Sequence, residues 1–191
     1  MVLHLALSIS LVCFIMSGLE WWSHCHLMHR RKLARLTGSA KLQEFYDFHA
    51  KGHHAKYYRD FDHEPDEIGR HFNLEIRIRS GLILSAPFML LAYFIDPLTM
   101  WIILAGAILQ PLIWTACHFE MHDPQGRWWF RNPIYRNIRY RHFLHHRHQT
   151  KNFGGLLPFF DWLMRTSAKP TEKDRAIMRE KWGSDSWLRC R

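Results

Sequence analysis

Hydrophobic and polar residues alternate along the chain in long blocks. Val2–Leu19 is apolar apart from His4, Ser8, Ser10 and Ser17. Leu82–Ile95 and Leu98–Cys117 are two further apolar runs, separated by Asp96-Pro97, a turn signal. The last run is about the twenty residues that a helix needs to cross a bilayer, and the middle one reaches that length if Ile76–Ser80 extends it into the headgroup zone. Pro87 and Pro111 fall inside these runs, where membrane helices tolerate proline. The polar blocks between them read differently. Leu33, Leu36, Leu42, Phe45 and Phe48 recur at roughly helical spacing and predict amphipathic helices over 30–79. The mixture of Trp and Arg over Gly126–Tyr140 predicts a segment lying at the membrane surface. Gly154–Phe160 reads as a turn leading to an apolar patch that dips into lipid, and the polar residues from Lys169 onward as a surface helix or tail.

Charge sharpens this picture. The chain of 191 residues carries 26 Lys plus Arg against 17 Asp plus Glu, and residues 1–22 and 80–117 contain none of those 26. Three spans therefore put every basic residue on one side, which the positive-inside rule makes cytoplasmic, with the N-terminus outside. No basic residue precedes the first run and no small-residue cleavage site follows it, so a membrane span is expected there rather than a signal peptide. A nucleic-acid-binding module would account for the basic charge but not for the spans, and no nucleic-acid partner is expected. The cysteines (Cys13, Cys25, Cys117, Cys190) form no C-x-x-C pair, which argues against a zinc knuckle or a disulfide framework. The expected architecture is all-α: about three membrane helices in a single domain over residues 1–191, with a cytoplasmic helical cap carrying a histidine-rich dimetal site.

The histidines decide the chemistry. Fifteen are present, and most fall in four clusters: His24-Cys-His26-Leu-Met-His29, His49-Ala-Lys-Gly-His53-His54, His118-Phe-Glu-Met-His122, and His142-Phe-Leu-His145-His146. Helical residues three or four apart share a face, so each cluster can aim several imidazoles at one point. Two clusters close membrane helices and two lie in the polar segments, so topology brings all four to one side. So many converging imidazoles make sense as neutral metal ligands, and their number exceeds one tetrahedral set, implying two metals. Imidazole suits iron, copper and zinc alike. His26 competes with His24, because His26 and His29 share an ordinary helix face and His24 and His29 do so poorly. His4, His63, His71 and His148 lie outside the clusters. A transporter would place ionisable residues along the spans, and Leu82–Ile95 and Leu98–Cys117 have none. A zinc hydrolase would need a carboxylate base, for which Glu120 is the obvious choice.

The order H-x4-H, H-x3-HH, H-x3-H, H-x2-HH resembles the signature of the fatty acid hydroxylase superfamily, which includes sterol desaturases and carotenoid hydroxylases. The ending His145-His146…Asn152-Phe153-Gly154…Pro158…Asp161-Trp162…Thr166 is similar to that superfamily's, and the likeness covers about residues 20–166, leaving 167–191 as a polar tail. The resemblance implies an integral membrane oxidoreductase of the bacterial inner membrane or endoplasmic reticulum. Such an enzyme binds two irons (or zinc as purified) and uses O2 with electrons from a separate cytochrome- or ferredoxin-type protein to hydroxylate or desaturate a lipid hydrocarbon, here an acyl lipid by preference. The implied ligands are His24, His29, His49, His53, His54, His118, His122, His142, His145 and His146. Asn152, Asp161, Glu120 and Asp123 are candidates to hold the imidazoles' other nitrogens. The chain departs from the family in its single hairpin plus one helix, and in the three residues between His49 and His53 where the family has two. If His49 is a ligand, a wide helical turn near Gly52 must absorb the extra residue; otherwise water or a carboxylate such as Glu44 or Asp47 fills its place.

The one-sided charge generates a topology prediction. A reporter fused after Arg191 reads cytoplasmic and one inserted at Asp96-Pro97 reads external; finding both on the same side removes the convergence of the four clusters.

Overall fold

The structure, a computed structural model, describes residues 2–59, 61 and 74–184. His63, His71 and Cys190, and the rest of 62–73 and 185–191, lie outside the described residues. Helix α1 (Val2–Ser23) continues as a π-helical turn over His24–Met28. Helices α2 (Lys32–Thr37) and α3 (Ala40–Tyr46) follow, and α3 runs on as a π-helix over Asp47–Tyr57. The hairpin is α4 (Leu74–Ile95) and α5 (Pro97–His122). A 3-10 turn (Trp128–Arg131) leads to α6 (Pro133–Arg147), the short α7 (Phe159–Leu163) and α8 (Glu172–Trp182). No strand occurs among the described residues.

Three helical stretches are long and apolar enough to cross a membrane: Val2–Met28, Arg77–Ile95 and Pro97–His122. Their outward faces are apolar, as a lipid surrounding requires. Leu3, Leu7, Leu90, Leu91, Phe94 and Trp101 are all more than half exposed, an apolar surface far larger than water tolerates. Small residues bring the spans together, as is usual where lipid supplies no hydrophobic drive between helices. A Cβ on Gly81 would lie 3.0 Å from the Ala107 carbonyl, and one on Gly106 would meet Val12 and Met16 at 3.3–3.4 Å. Both α4 and α5 run through their prolines without a break.

The end of the bundle away from the histidines is pinned by Asp96. This residue caps α5 through Leu98 N (3.2 Å), with Pro97 at the first helical position. Its other oxygen accepts from Thr99 Oγ1 (2.5 Å), contacts His4 Nε2 (2.9 Å), and so ties the start of α1 to the hairpin turn. His4 and Asp96 form an ion pair when the imidazole is protonated.

The polar segments fold less uniformly than their leucine spacing predicts. Gly38, at φ +64°, stops α2, and Ser39 restarts the chain as α3 by accepting from Leu42 N. Leu36 is left exposed by that break. Trp128 and Ile134 are also exposed, as the surface reading requires, but Tyr135 and Ile138 turn into the core. The apolar patch after the Gly154-Gly155 turn packs on a membrane helix: Phe159 and Phe160 place their rings 5.3 and 5.2 Å from Phe14.

The segment read as a surface helix or tail has a buried edge. Thr171 and Asp174 form a capping box that starts α8, and Gly183 at φ +68° ends it. Asp174 also receives Arg147 Nε (3.2 Å) and His148 Nε2 (2.8 Å), joining α8 to the end of α6. Met178 is fully buried and Trp182 nearly so, against Phe61, Phe143 and Leu144. The Arg139 guanidinium covers the Trp182 ring at 4.5 Å. Met178→Ala therefore opens a cavity directly behind α6 and should destabilise the protein by about 2–5 kcal/mol, read as a lower thermal midpoint in detergent; an unchanged midpoint would show that α8 does not support the core.

Candidate metal centre

All ten histidines expected as ligands meet at one end of the bundle. Ligand nitrogens of His24, His29, His49, His54 and His145 lie within 4.8 Å of one another, and so do those of His53, His118, His122 and His142. His146 joins His53 and His54 at the seam between the two nests, its ring 4.2 Å from that of His54. Within the nests Nε2 faces Nε2 at 2.9–3.2 Å, for instance His24 to His49, His122 to His142 and His145 to His54.

Local backbone geometry explains how the two irregular clusters reach this arrangement. A π turn closes with an i→i+5 hydrogen bond, so residues five apart share a face. In the first cluster His29 N donates to His24 O (3.1 Å), and His24 and His29 point together. His26 is turned away and packs beside Trp21 and Trp22, which settles the choice between His24 and His26 as to position. In the second cluster the π-helix spans the whole of His49–His54; Tyr58 N donates to His53 O, and His54 Nε2 lies 3.1 Å from His49 Nε2. The extra residue before His53 is absorbed by the wide turn, and His49 stays in the nest. Glu44 and Asp47 do not replace it: Asp47 pairs with Lys51 and Gln43, and Glu44 with Lys41. The other two clusters need nothing special. His118 and His122 on α5, and His142, His145 and His146 on α6, share faces at ordinary helical spacing.

The backbone grips the second nitrogen of three of these rings, while Nδ1 of His54 and of His146 has no partner among the described residues. His24 Nδ1–H donates to Phe153 O (2.7 Å), His145 Nδ1–H to Lys151 O (2.6 Å) and His122 Nδ1–H to Phe61 O (2.6 Å). None of Asn152, Asp161, Glu120 and Asp123 takes one of these three nitrogens. Asp161, wholly buried, acts through the loop that carries two of those carbonyls. It accepts from Phe153 N (2.8 Å), Gly154 N (2.9 Å) and Thr166 Oγ1 (2.8 Å), and pairs with Arg141. Asn152, at φ +53°, buckles the same loop; its side chain donates to Arg141 O and accepts from Ala168 N. Glu120 organises the turn after α5 by accepting from Gln125 N and Arg127 N, and Asp123 only ends that helix. Glycine is required where the loop crosses α1: a Cβ on Gly155 would lie 2.3 Å from Glu20 Oε1 and 2.9 Å from Trp114.

Electrostatics keep the nests neutral. Burial, then the neighbouring imidazoles, holds His49, His53, His54, His142 and His146 well below the ordinary histidine range. Burial takes His145 down to about 3 despite its carbonyl partner. With Nδ1–H committed to a carbonyl, Nε2 of His24, His122 and His145 must present a lone pair inward. Lone pairs facing each other at these distances repel, and a cation between them removes the repulsion. The donor set therefore fits metal ions in both nests, and it contains only nitrogen.

A cavity of about 320 Å³ reaches the nests. His24, His49, His118 and His142 form its inner wall, and Met16, Leu19, Leu84, Pro111 and Trp114 its apolar sides. Among the polar residues on this wall that sequence reasoning missed are Glu20, Arg77 and Gln110. The signal for Glu20 was its place one helical turn before His24, at the end of an otherwise uncharged run.

Fold and site define an all-helical integral membrane protein with a buried histidine cluster suited to metal. The family model for fatty acid hydroxylase matches residues 9–166, and the chain belongs to that family. No curated protein and no solved structure matches it.

The geometry ranks the substitutions. His24→Ala and His49→Ala should each lower bound metal as severely as His145→Ala, whereas His26→Ala should keep the full complement by elemental analysis. Asp161→Asn should weaken metal retention by about ten-fold, because it loosens the carbonyls that aim His24 and His145. A His26 variant that loses metal while the His24 variant keeps it would reverse the assignment.

Proposed function

We propose that this protein is an O2-dependent oxidoreductase with two irons that hydroxylates the hydrocarbon part of a lipid, an acyl chain by preference. The observation that carries this reading is two imidazole nests sharing one seam, set at the inner end of an apolar cavity. Family membership supports an oxidoreductase and favours iron among the metals that imidazole accepts. His24, His29, His49, His54 and His145 would hold one iron; His53, His118, His122 and His142 would hold the other, with His146 at the seam. Bound there, the metals supply the activation of dioxygen that alkyl C–H bonds require.

The chain's own contribution is placement and dryness. The carbonyls of Phe153, Lys151 and Phe61 keep three imidazoles in one tautomer and one orientation. Phe153, Tyr58 and Phe61 pack their rings against the nests and shield them from water. The apolar walls present a chain to the inner end of the cavity and exclude charged competitors. Forming an alcohol from a C–H bond and O2 consumes two electrons and two protons and releases water, and the electrons are assigned to a separate redox protein. The one-sided basic charge supports a site on the cytoplasmic face, where such a donor and its reductant are available.

Protein expressed with iron and purified in detergent should hold about two metals per chain and consume O2 when reduced chemically in the presence of acyl lipid. Hydroxylated product should appear in lipid extracts only from cells expressing the active form. One metal per chain, or zinc alone with no oxygen consumption after iron loading, would overturn the reading.

A further inference from the structure

The cavity is mostly apolar, and one polar level stands apart from its imidazoles, the Lys41–Glu44 pair, Ser23 and Ser80. Glu20 on α1 and Gln110 on α5 meet across it, Gln110 Nε2 donating to Glu20 Oε2 at 3.1 Å, and Arg77 lines the same wall from α4. This level lies one helical turn from His24, about 6 Å along the helix axis. Glu20 is also fastened from behind, where Leu156 N donates to Oε2 at 3.4 Å and Gly155 lies against Oε1. Gln110 and Leu156 both donate to Oε2, so the carboxyl group keeps acceptor capacity beyond these two bonds. Gln110 uses its amide N–H on Glu20, and its carbonyl oxygen has no hydrogen-bond partner among the described residues. Both groups thus offer acceptors to whatever occupies the cavity.

Acceptors select a donor. An alkane leaves them dry and unpaired, which is costly in an apolar wall. A carboxylate or phosphate brings more lone pairs and a negative charge beside Glu20. Nor does the wall hold net positive charge to fix an anion, since Glu20 and Glu44 offset Arg77 and Lys41, and Lys41 is already paired with Glu44 at 3.3 Å. Arg77 can return a hydrogen bond to the oxygen of a group that donates to Glu20. A hydroxyl satisfies all of these at once.

We infer that Glu20 and Gln110 form a hydroxyl-recognition site within the cavity, so that the substrate is a neutral long-chain molecule carrying an O–H donor close to the carbon that is oxidised, rather than a free fatty acid or a plain hydrocarbon. The inference rests on the cavity being the substrate site. It adds to that reading the chemical class and the residues that select it.

The test is equilibrium displacement of radiolabelled hexadecan-1-ol from the purified full-length protein in nanodiscs, with metal as purified. The competitors are hexadecan-1-ol, its methyl ether, hexadecane and hexadecanoate. The alcohol should compete about ten-fold better than the ether, which accepts but cannot donate. In Gln110→Met, which leaves the Gly155 and Leu156 contacts of Glu20 in place, that preference should fall to a few-fold while hexadecane competes as well as before or better. Glu20→Leu should abolish the preference, and its retained metal and thermal midpoint show whether it is folded. Equal competition by alcohol and ether would overturn the inference in favour of an unselective apolar tunnel. Best competition by hexadecanoate would overturn it in favour of an anion site at Arg77. Binding is read without turnover, so failure of the oxidase reading would show in metal content and oxygen consumption and leave this result independent.

Discussion

Everything at the active end of this protein depends on the convergence of imidazole lone pairs in a desolvated space. Ten histidines cannot share such a space as cations, and as neutral rings they repel unless a positive charge sits among them. Three backbone carbonyls fix this condition by taking the Nδ1 protons of His24, His122 and His145, which leaves Nε2 no choice but to face inward as an acceptor. The demands then pass outward. The Phe153 and Lys151 carbonyls need a rigid loop, the loop needs Asp161 and Asn152, and Asp161 needs Arg141 and Thr166. A buried carboxylate that makes no hydrogen bond to an imidazole is thus bound into the geometry of the histidine nests.

The same convergence explains the unusual helices. An ordinary α-helix carries a residue at i+5 well away from the face of residue i, so His24 with His29, and His49 with His54, would diverge. Both pairs sit instead on π-helical backbone, where five residues complete a turn more nearly. The π turns are local and energetically unfavourable by themselves. They persist because the rings they align are packed on every side by other helices. His26 shows the converse: its helical spacing to His29 is better in an α-helix, and the π turn leaves it among tryptophans at the rim.

Membrane and site also share parts. α1 supplies lipid-facing leucines, the cavity wall at Met16 and Leu19, the carboxyl group of Glu20 and the first histidine cluster at its end. α7 returns Phe160 against Gly18, where a Cβ would lie only 2.8 Å from the ring, so the loop that grips His24 and His145 is moored to the span beside it. A cavity between membrane helices needs no gate through the polar cap to admit an apolar chain, which fits the lipid substrate class proposed above.

Much of this was legible in the chain itself. Long uncharged runs can only be buried in lipid or in a very large core, and basic residues confined to two blocks mark one side, so spans and hairpin follow from hydropathy and charge. Histidine clusters in a fixed order imply shared ligation, because topology alone brings them to one depth. Tertiary structure decided the rest. Whether His24 or His26 turns inward depends on a π turn that only packing sustains. Three of the rings' outer nitrogens are held by backbone carbonyls, which carry no signature in side-chain sequence, and Asp161 lies one step further out, holding the loop that carries two of them. The burial of Met178 and Trp182 in a segment that reads as polar follows from a few apolar side chains meeting a core formed by helices far away in sequence. Glu20 and Gln110 are ninety residues apart and meet only because α1 packs on α5. Patterns of solubility and charge are additive along a chain and can be read from it, whereas the pairing of particular atoms is set by where distant segments come to rest.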